Sequence, residues 1–304
     1  MKSDKQFELP SAARESKVAD TAKLALAAKY LTSQPSFWKG RGIGNREKPL
    51  SNNSISKIFL SSTDIELANS KLNSVGLRIK ATSTRERWLN KLCGEYIKSK
   101  KYKQIVLLGS GFDIRPLKKN KQHQQGKKNA ALYATVRFWE IDQAKVLDEK
   151  ESIINQNGLD KNACYIRADY TQDDFIKQLL ENGLNPELPI LIIWEGNSVY
   201  IEKDSIKQLF IKLNAAFPHF VIAFNYTSQK TVDEMLDKAR LNSIETAAET
   251  LWKSGIDDIQ QFAAEFGLTV IINRNLDDLE NEYEVDNKEP QQNTFSICSL
   301  GRGY

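Results

Sequence analysis

Histidine is nearly absent from this chain, with two in 304 residues, His123 and His219. His123 lies in a Lys/Gln-rich stretch, His219 follows Phe217 and Pro218, and neither stands beside another ligand-type residue. Zinc catalysis and Ser-His-Asp catalysis both need a positioned imidazole, so the shortage argues against both, and no metal site is expected. Cysteine is also scarce. Cys93, Cys164 and Cys298 are odd in number and far apart, which gives neither a disulfide framework nor a metal knuckle. Each reads as a small core hydrophobe in a reducing cytoplasm. No apolar run approaches the ~20 residues that span a bilayer. Residues 1–10 carry no apolar signal core, so a cytoplasmic protein without membrane contact is expected. Nor does one charge dominate: 43 Lys and Arg stand against 39 Asp and Glu, a net +4 that does not suggest a nucleic-acid partner. The two lysine clusters, 98–103 and 118–128, read as solvated surface.

What the chain does have is enough apolar residue, 40%, to bury a core of one large α/β domain. Val18–Leu31 is Ala/Leu-rich without Gly or Pro and predicts a helix. Residues 33–53 are rich in Gly, Pro, Ser and Asn and predict a loop. Ser62–Leu77 and Thr84–Lys98 predict two further helices, which makes the first hundred residues a helical cap on a core over 101–304. From Lys103 strands and helices alternate. Strands are predicted at Ile105–Leu108, Tyr133–Ile141, Ala163–Ala168, Pro189–Trp194, Phe220–Phe224, Leu268–Ile272 and Thr294–Leu300. Helices are predicted at Ile201–Ala216, Val232–Trp252 and Asp257–Phe266. The alternation implies a doubly wound, mostly parallel sheet, with the wholly apolar 189–194 run as a central strand. The stretch 228–258 reads either as a lid or as an ordinary helical connection.

Residues 104–113, QIVLLGSGFD, place a glycine turn directly after an apolar strand. Glycine lets the backbone turn sharply and a ligand approach it closely, so Gly109 and Gly111 are candidate binding residues. The second strand ends FWEID, which puts Glu140 and Asp142 where ribose hydroxyls would find an acceptor. The Lys-rich stretch 118–130 lengthens the spacing between loop and acid beyond the usual ~20 residues. A dinucleotide site needs a third glycine where Ile114 stands, and Asp113 beside the loop would repel a pyrophosphate. A nicotinamide-dependent oxidoreductase is therefore the alternative, and a phosphate-free adenosyl ligand the better fit. Taken alone, Glu140 reads better as a strand-end residue paired with a surface lysine.

These residues resemble the leucine carboxyl methyltransferase family of adenosylmethionine enzymes. The loop at 108–117 (LGSGFDIRPL) is similar to the family's own, and VADTA at 18–22 resembles its opening helix. TRERWLN at 84–90, WEID at 139–142 with Val146, Leu147 and Lys150, ADY at 168–170 and WEGNSVY at 194–200 continue the likeness in order. The family's Asp-Pro-Tyr segment is missing, with FWKGRG at 37–42 in its place. The resemblance implies a seven-stranded class I methyltransferase sheet, Rossmann-like, with S-adenosyl-L-methionine as cofactor. It also implies roles. Arg85 pairs with the methionine carboxylate, Gly109 and Gly111 pack under the methionine and ribose, with Asp113 directly behind that loop. Asp142, with Glu140 beside it, holds the ribose, and Asp169 and Tyr170 flank the adenine. Glu195 lies near the ammonium and the substrate mouth.

Methyl transfer from a sulfonium is an in-line displacement in which positioning matters most. An ionised carboxylate needs no base, whereas an alcohol or amine does. With no histidine near any motif, O-methylation of a carboxylate or acidic hydroxyl of a small molecule or peptide is the expected reaction. Glu195, Tyr200 or Tyr226 remain candidate bases. Glu195-Gly196-Asn197-Ser198 also lacks the Pro-Pro turn of nucleobase amino methylation. Plainer readings stand beside these. Arg85 and Arg87 could form a solvated helix face, Tyr200 and Tyr226 could be packing residues, and the chain could be a binding protein that keeps the fold without catalysis.

Overall fold

A computed structural model describes residues 11–34, 54–74, 77–119, 133–241, 252–282 and 295–303. Residues 35–53 of the predicted loop 33–53, residues 120–130 of the Lys-rich stretch 118–130 and residues 242–251 of the predicted helix Val232–Trp252 lie outside the described residues. Seven strands form one sheet in the order β3-β2-β1-β4-β5-β7-β6. They are β1 (Gln104–Leu108), β2 (Arg137–Asp142), β3 (Ala163–Arg167), β4 (Ile190–Trp194), β5 (Phe220–Tyr226), β6 (Thr269–Asn275) and β7 (Ser296–Arg302). The first five are parallel, while β7 runs antiparallel to both β5 and β6. This is the doubly wound, mostly parallel sheet that the strand–helix alternation predicts, with the seven strands that the resemblance implies.

The helices are α1 (Ser11–Thr32), α2 (Ser62–Ser74), α3 (Leu77–Lys98), α4 (Ala144–Gln156), α5 (Phe175–Glu181), α6 (Lys203–Ala216), α7 (Gln229–Leu241), α8 (Ile259–Glu265) and α9 (Leu276–Glu282). Local chemistry explains several of their starts. Asp258 and Asp174 accept hydrogen bonds from the first free N–H groups of α8 and α5. Ser61 and Asp64 exchange backbone bonds at the head of α2 as a capping box does.

Strand pleating sends alternate residues to opposite layers. Val106, Leu108, Trp139, Ile192, Trp194, Ile222 and Phe224 pack under α5, α6 and α8. Ile105, Leu107, Phe138, Leu191, Ile193, Val221 and Ala223 pack under α3 and α9. A third apolar cluster joins Leu26 of α1 and Val146, Leu147 and Ile154 of α4 to Phe112, Ile114 and Leu117. The helical cap thus rests on the glycine loop itself.

Two expectations are corrected. Tyr133–Val136 is a turn closed by Val136 N–H on the Tyr133 carbonyl, so β2 starts at Arg137. The apolar Tyr133 and Val136 pack under α3 as side chains of a turn, which an apolar run alone does not distinguish from a strand. Trp252 is not helical. Its ring packs beside Val199 and Val232 while the following Lys253 N–H bonds the Val199 carbonyl. The α9 helix is an addition that the sequence reading missed. Among its described side chains Leu276 and Leu279 enter the core, too short a signal for a period of 3.6.

Candidate functional site

The strand order turns back on itself between β1 and β4, and in open α/β sheets ligands bind at the carboxyl ends of such strands. Gly109 follows β1 and Glu195 follows β4. Gly109 and Gly111 both have positive φ, 61° and 52°, which an L side chain adopts only at a cost. A Cβ at Gly109 would lie 1.9 Å from Asn197 Nδ2 and 3.3 Å from the Tyr170 ring. Asn197 donates to the Gly109 carbonyl at 2.7 Å, tying the two strand ends together. At the end of β2, Asp142 accepts from Gly111 N–H at 2.6 Å and from Gln143 N–H at 2.8 Å. Burial pushes its carboxyl up, and those two N–H groups work against the shift.

Glu195 sits among three cations. Lys29 of α1 reaches one carboxylate oxygen at 2.7 Å and Arg85 of α3 reaches the same oxygen at 3.4 Å. Arg115 takes the other oxygen at 2.8 Å. Burial alone would raise the Glu195 carboxyl, but Lys29, Arg115 and Arg85 outweigh it and hold the group well below the usual carboxylate range. Arg115 is 2% exposed and is locked by two more partners, Asp113 and the Asn90 side chain. Lys29, Arg85 and Arg115 against Glu195 and Asp113 leave one positive charge in excess.

The predicted residues thus fall into two groups. Arg85, Gly109, Gly111, Asp142 and Glu195 come together around the ends of β1, β2 and β4, with Tyr170 against Gly109. Tyr170 also accepts from Trp194 Nε1 at 3.1 Å, and burial pushes its phenol up. The others have structural partners. Glu140 is fully buried against Lys150, whose ammonium also donates to the Asp113 carbonyl at 2.7 Å. The carboxylate of Asp113 faces Arg115. Asp169 accepts from the N–H and hydroxyl of Thr171 at 2.9 and 2.6 Å, closing the turn after β3. Tyr200 packs beside the Val199, Val232 and Trp252 cluster, and Tyr226 donates to Asn273 at 2.9 Å.

Sequence reasoning passed over Lys29, Arg115, Asn197 and Asn225. Arg115 carried a signal, being an arginine in an otherwise apolar IRPL run. Lys29 carried none, because a lysine in an Ala/Leu-rich helix reads as its solvent face. Among the described residues no group of three or more His, Cys, Asp or Glu could hold a metal. No described helix is long and apolar enough to cross a membrane.

The leucine carboxyl methyltransferase family profile matches residues 24–214, which run from within α1 through the glycine loop and Glu195 to within α6. The chain belongs to the leucine carboxyl methyltransferase family. The cofactor of that family is S-adenosyl-L-methionine. Two curated relatives, both provisionally named S-adenosyl-L-methionine-dependent methyltransferases, share parts of this sequence. One, from Streptomyces avermitilis, is 29% identical over 37% of this chain and 36% of its own length. The other, from Mycolicibacterium smegmatis, is 28% identical over 43% of this chain and 40% of its own length. The matched segments therefore span well under half of those relatives. Solved structures share the fold. A DUF574-family protein of Streptomyces avermitilis superposes with a TM-score of 0.55 at 11% identity, covering 91% of this chain and 96% of the other. A protein of Thermobifida fusca provisionally named a methyltransferase gives 0.53 at 14% identity, covering 85% and 99%.

The residues of this family member fit the cofactor chemically. Asp142 is a largely buried acceptor whose oxygens keep free lone pairs. The surplus positive charge suits an amino-acid carboxylate, and Glu195 suits its ammonium. Gly109 and Gly111 carry no side chain of their own, and Asn197 and Tyr170 lie against the first and Ala22 against the second.

Proposed function

We propose that this protein transfers a methyl group from S-adenosyl-L-methionine to an oxygen acceptor, a carboxylate or acidic hydroxyl of a small molecule or peptide. When bound, the sulfonium supplies a methyl carbon that is already activated for displacement. Asp142 holds the ribose hydroxyls, and Arg85, Lys29 and Arg115 face the methionine carboxylate. Glu195 takes the ammonium. The turn at Gly109–Gly111 lets the backbone lie against the ligand and keeps water from that side. Glu140, Asp113 and Asp169 support this constellation from behind, through Lys150, Arg115 and the β3 turn.

The observation that carries the choice of acceptor is the pairing of Glu195 with Lys29, Arg85 and Arg115. A carboxylate held so far below its ordinary range stays ionised and is a poor proton acceptor. Of the other candidates, Tyr226 donates to Asn273 and Tyr200 packs beside the Val199, Val232 and Trp252 cluster. An acceptor that arrives already ionised needs no base from the protein.

Calorimetric titration with adenosylhomocysteine, adenosylmethionine and NADH tests the cofactor. Micromolar-range binding of the first two and none of NADH is expected. Tight NADH binding, or no binding at all, overturns the reading. A methyl-transfer screen of acids, phenols and peptides then tests the acceptor, with turnover expected for acids. Adenosylhomocysteine binding without transfer to any oxygen acceptor would favour a binding protein that keeps the fold.

A further inference from the structure

Asn225, in β5, is completely buried and takes no part in the reading above. A fully buried amide is costly unless each of its groups is used. Its Oδ1 accepts from Gly196 N–H at 2.7 Å, within the peptide unit that follows Glu195. Its main-chain carbonyl accepts from the Ser198 hydroxyl. Asn225 therefore holds both sides of the Gly196–Ser198 turn. Its own place is set by the ladder, where it pairs with Ile297 of β7. Among the described residues its Nδ2 has no partner. The turn needs this hold. Gly196 has φ of 83°, and a Cβ there would lie 3.2 Å from the Arg85 guanidinium. Glycine is free to take this and many other conformations, so the bonds made to the turn, not its own sterics, hold it in one.

We propose that Asn225 is the positioning residue of the site, fixing the turn after β4 so that the Glu195 carboxylate meets Lys29, Arg85 and Arg115 and is set for the cofactor's ammonium. The proposal rests on the reading of Glu195 as a cofactor ligand. Asn225 touches no ligand and acts through Glu195. The part that works is the acceptor Oδ1, because the partnerless Nδ2 contributes no bond that a substitution could remove.

Adenosylhomocysteine binding, measured by calorimetry on the whole chain, separates the possibilities. Asn225→Leu keeps the size and loses the acceptor, and it is expected to weaken binding at least tenfold. Asn225→Asp keeps an oxygen acceptor toward Gly196 N–H and loses Nδ2. It is expected to stay within about fivefold of the parent protein. Ser198→Ala deletes only a hydroxyl on the other side of the turn and is expected to weaken binding about threefold. A leucine variant that binds like the parent protein, or an aspartate variant as weak as the leucine one, overturns the proposal. If the leucine variant does not fold, unchanged binding by Ser198→Ala overturns it, and the expected weakening with the aspartate variant intact supports it. Glu195→Gln is the control. If it binds like the parent protein, the reading of Glu195 has failed instead, and failure of the parent protein to bind defeats the cofactor assignment as a whole.

Discussion

Asp142 and Glu140 are two residues apart on one strand, and their surroundings give them different work. Asp142 is at the strand end with two backbone N–H groups on its oxygens, whereas Glu140 is sealed against Lys150. Asp142→Ala is expected to weaken adenosylhomocysteine binding by ~1–3 kcal/mol, the cost of losing a partner at a buried polar site. Calorimetry reads it directly, and an unchanged affinity would remove Asp142 from the ribose role. Spacing alone made both acids candidates. What separates them is that Lys150, one helix later, reaches back to Glu140 and to the loop, and a pairing across elements leaves no local trace in sequence.

At the scale of elements, the loop after β1 is the part most legible beforehand. An apolar strand followed by two glycines reads as a turn because only glycine takes positive φ freely. The structure adds that Asn197 closes over it from the end of β4. Gly109→Ala therefore meets two penalties. The backbone conformation costs a non-glycine residue about 1–2 kcal/mol. The new methyl would also displace the Asn197 amide and break its bond to the loop. Thermal unfolding should show the first penalty, and adenosylhomocysteine titration should show binding lost or nearly so. An alanine variant that binds like the parent protein would mean the loop is not the cofactor cradle. Elements built on weak periodicity were less legible. The turn at Tyr133–Val136 and the α9 helix bury apolar residues in short runs that fit strand, turn or helix equally.

For the whole molecule, a ligand that binds only the folded state stabilises it by mass action. Adenosylhomocysteine at a hundred times its Kd should add about 2.7 kcal/mol, seen as a raised Tm, while NADH should leave Tm unchanged. Stability should also vary with pH. Burial pushes the Glu140 carboxyl from 4.5 up to about 7, against the pull of Lys150. Between those values the native state holds a proton that the unfolded chain has released, so stability falls as pH rises and the full cost is present above about 7. Denaturant unfolding across that range should show the decline. The double variant Glu140→Gln, Lys150→Met should flatten it, and an equal slope in both proteins would mean other groups cause it.

The sequence by itself determined the sheet, the order of its elements and the glycine turn, because apolar alternation and backbone permissiveness are local properties of a chain. It also determined the shortage of imidazole. Only the tertiary structure decided which charges meet. Lys29, Arg85, Arg115 and Glu195 are spread over 167 positions of sequence and lie on four separate segments. Their contact follows from the reversal of strand order between β1 and β4 and from the seating of α1 and α3 beside that crevice. The same long-range packing that gathers them also sets the ionisation of Glu195, which no window of sequence contains.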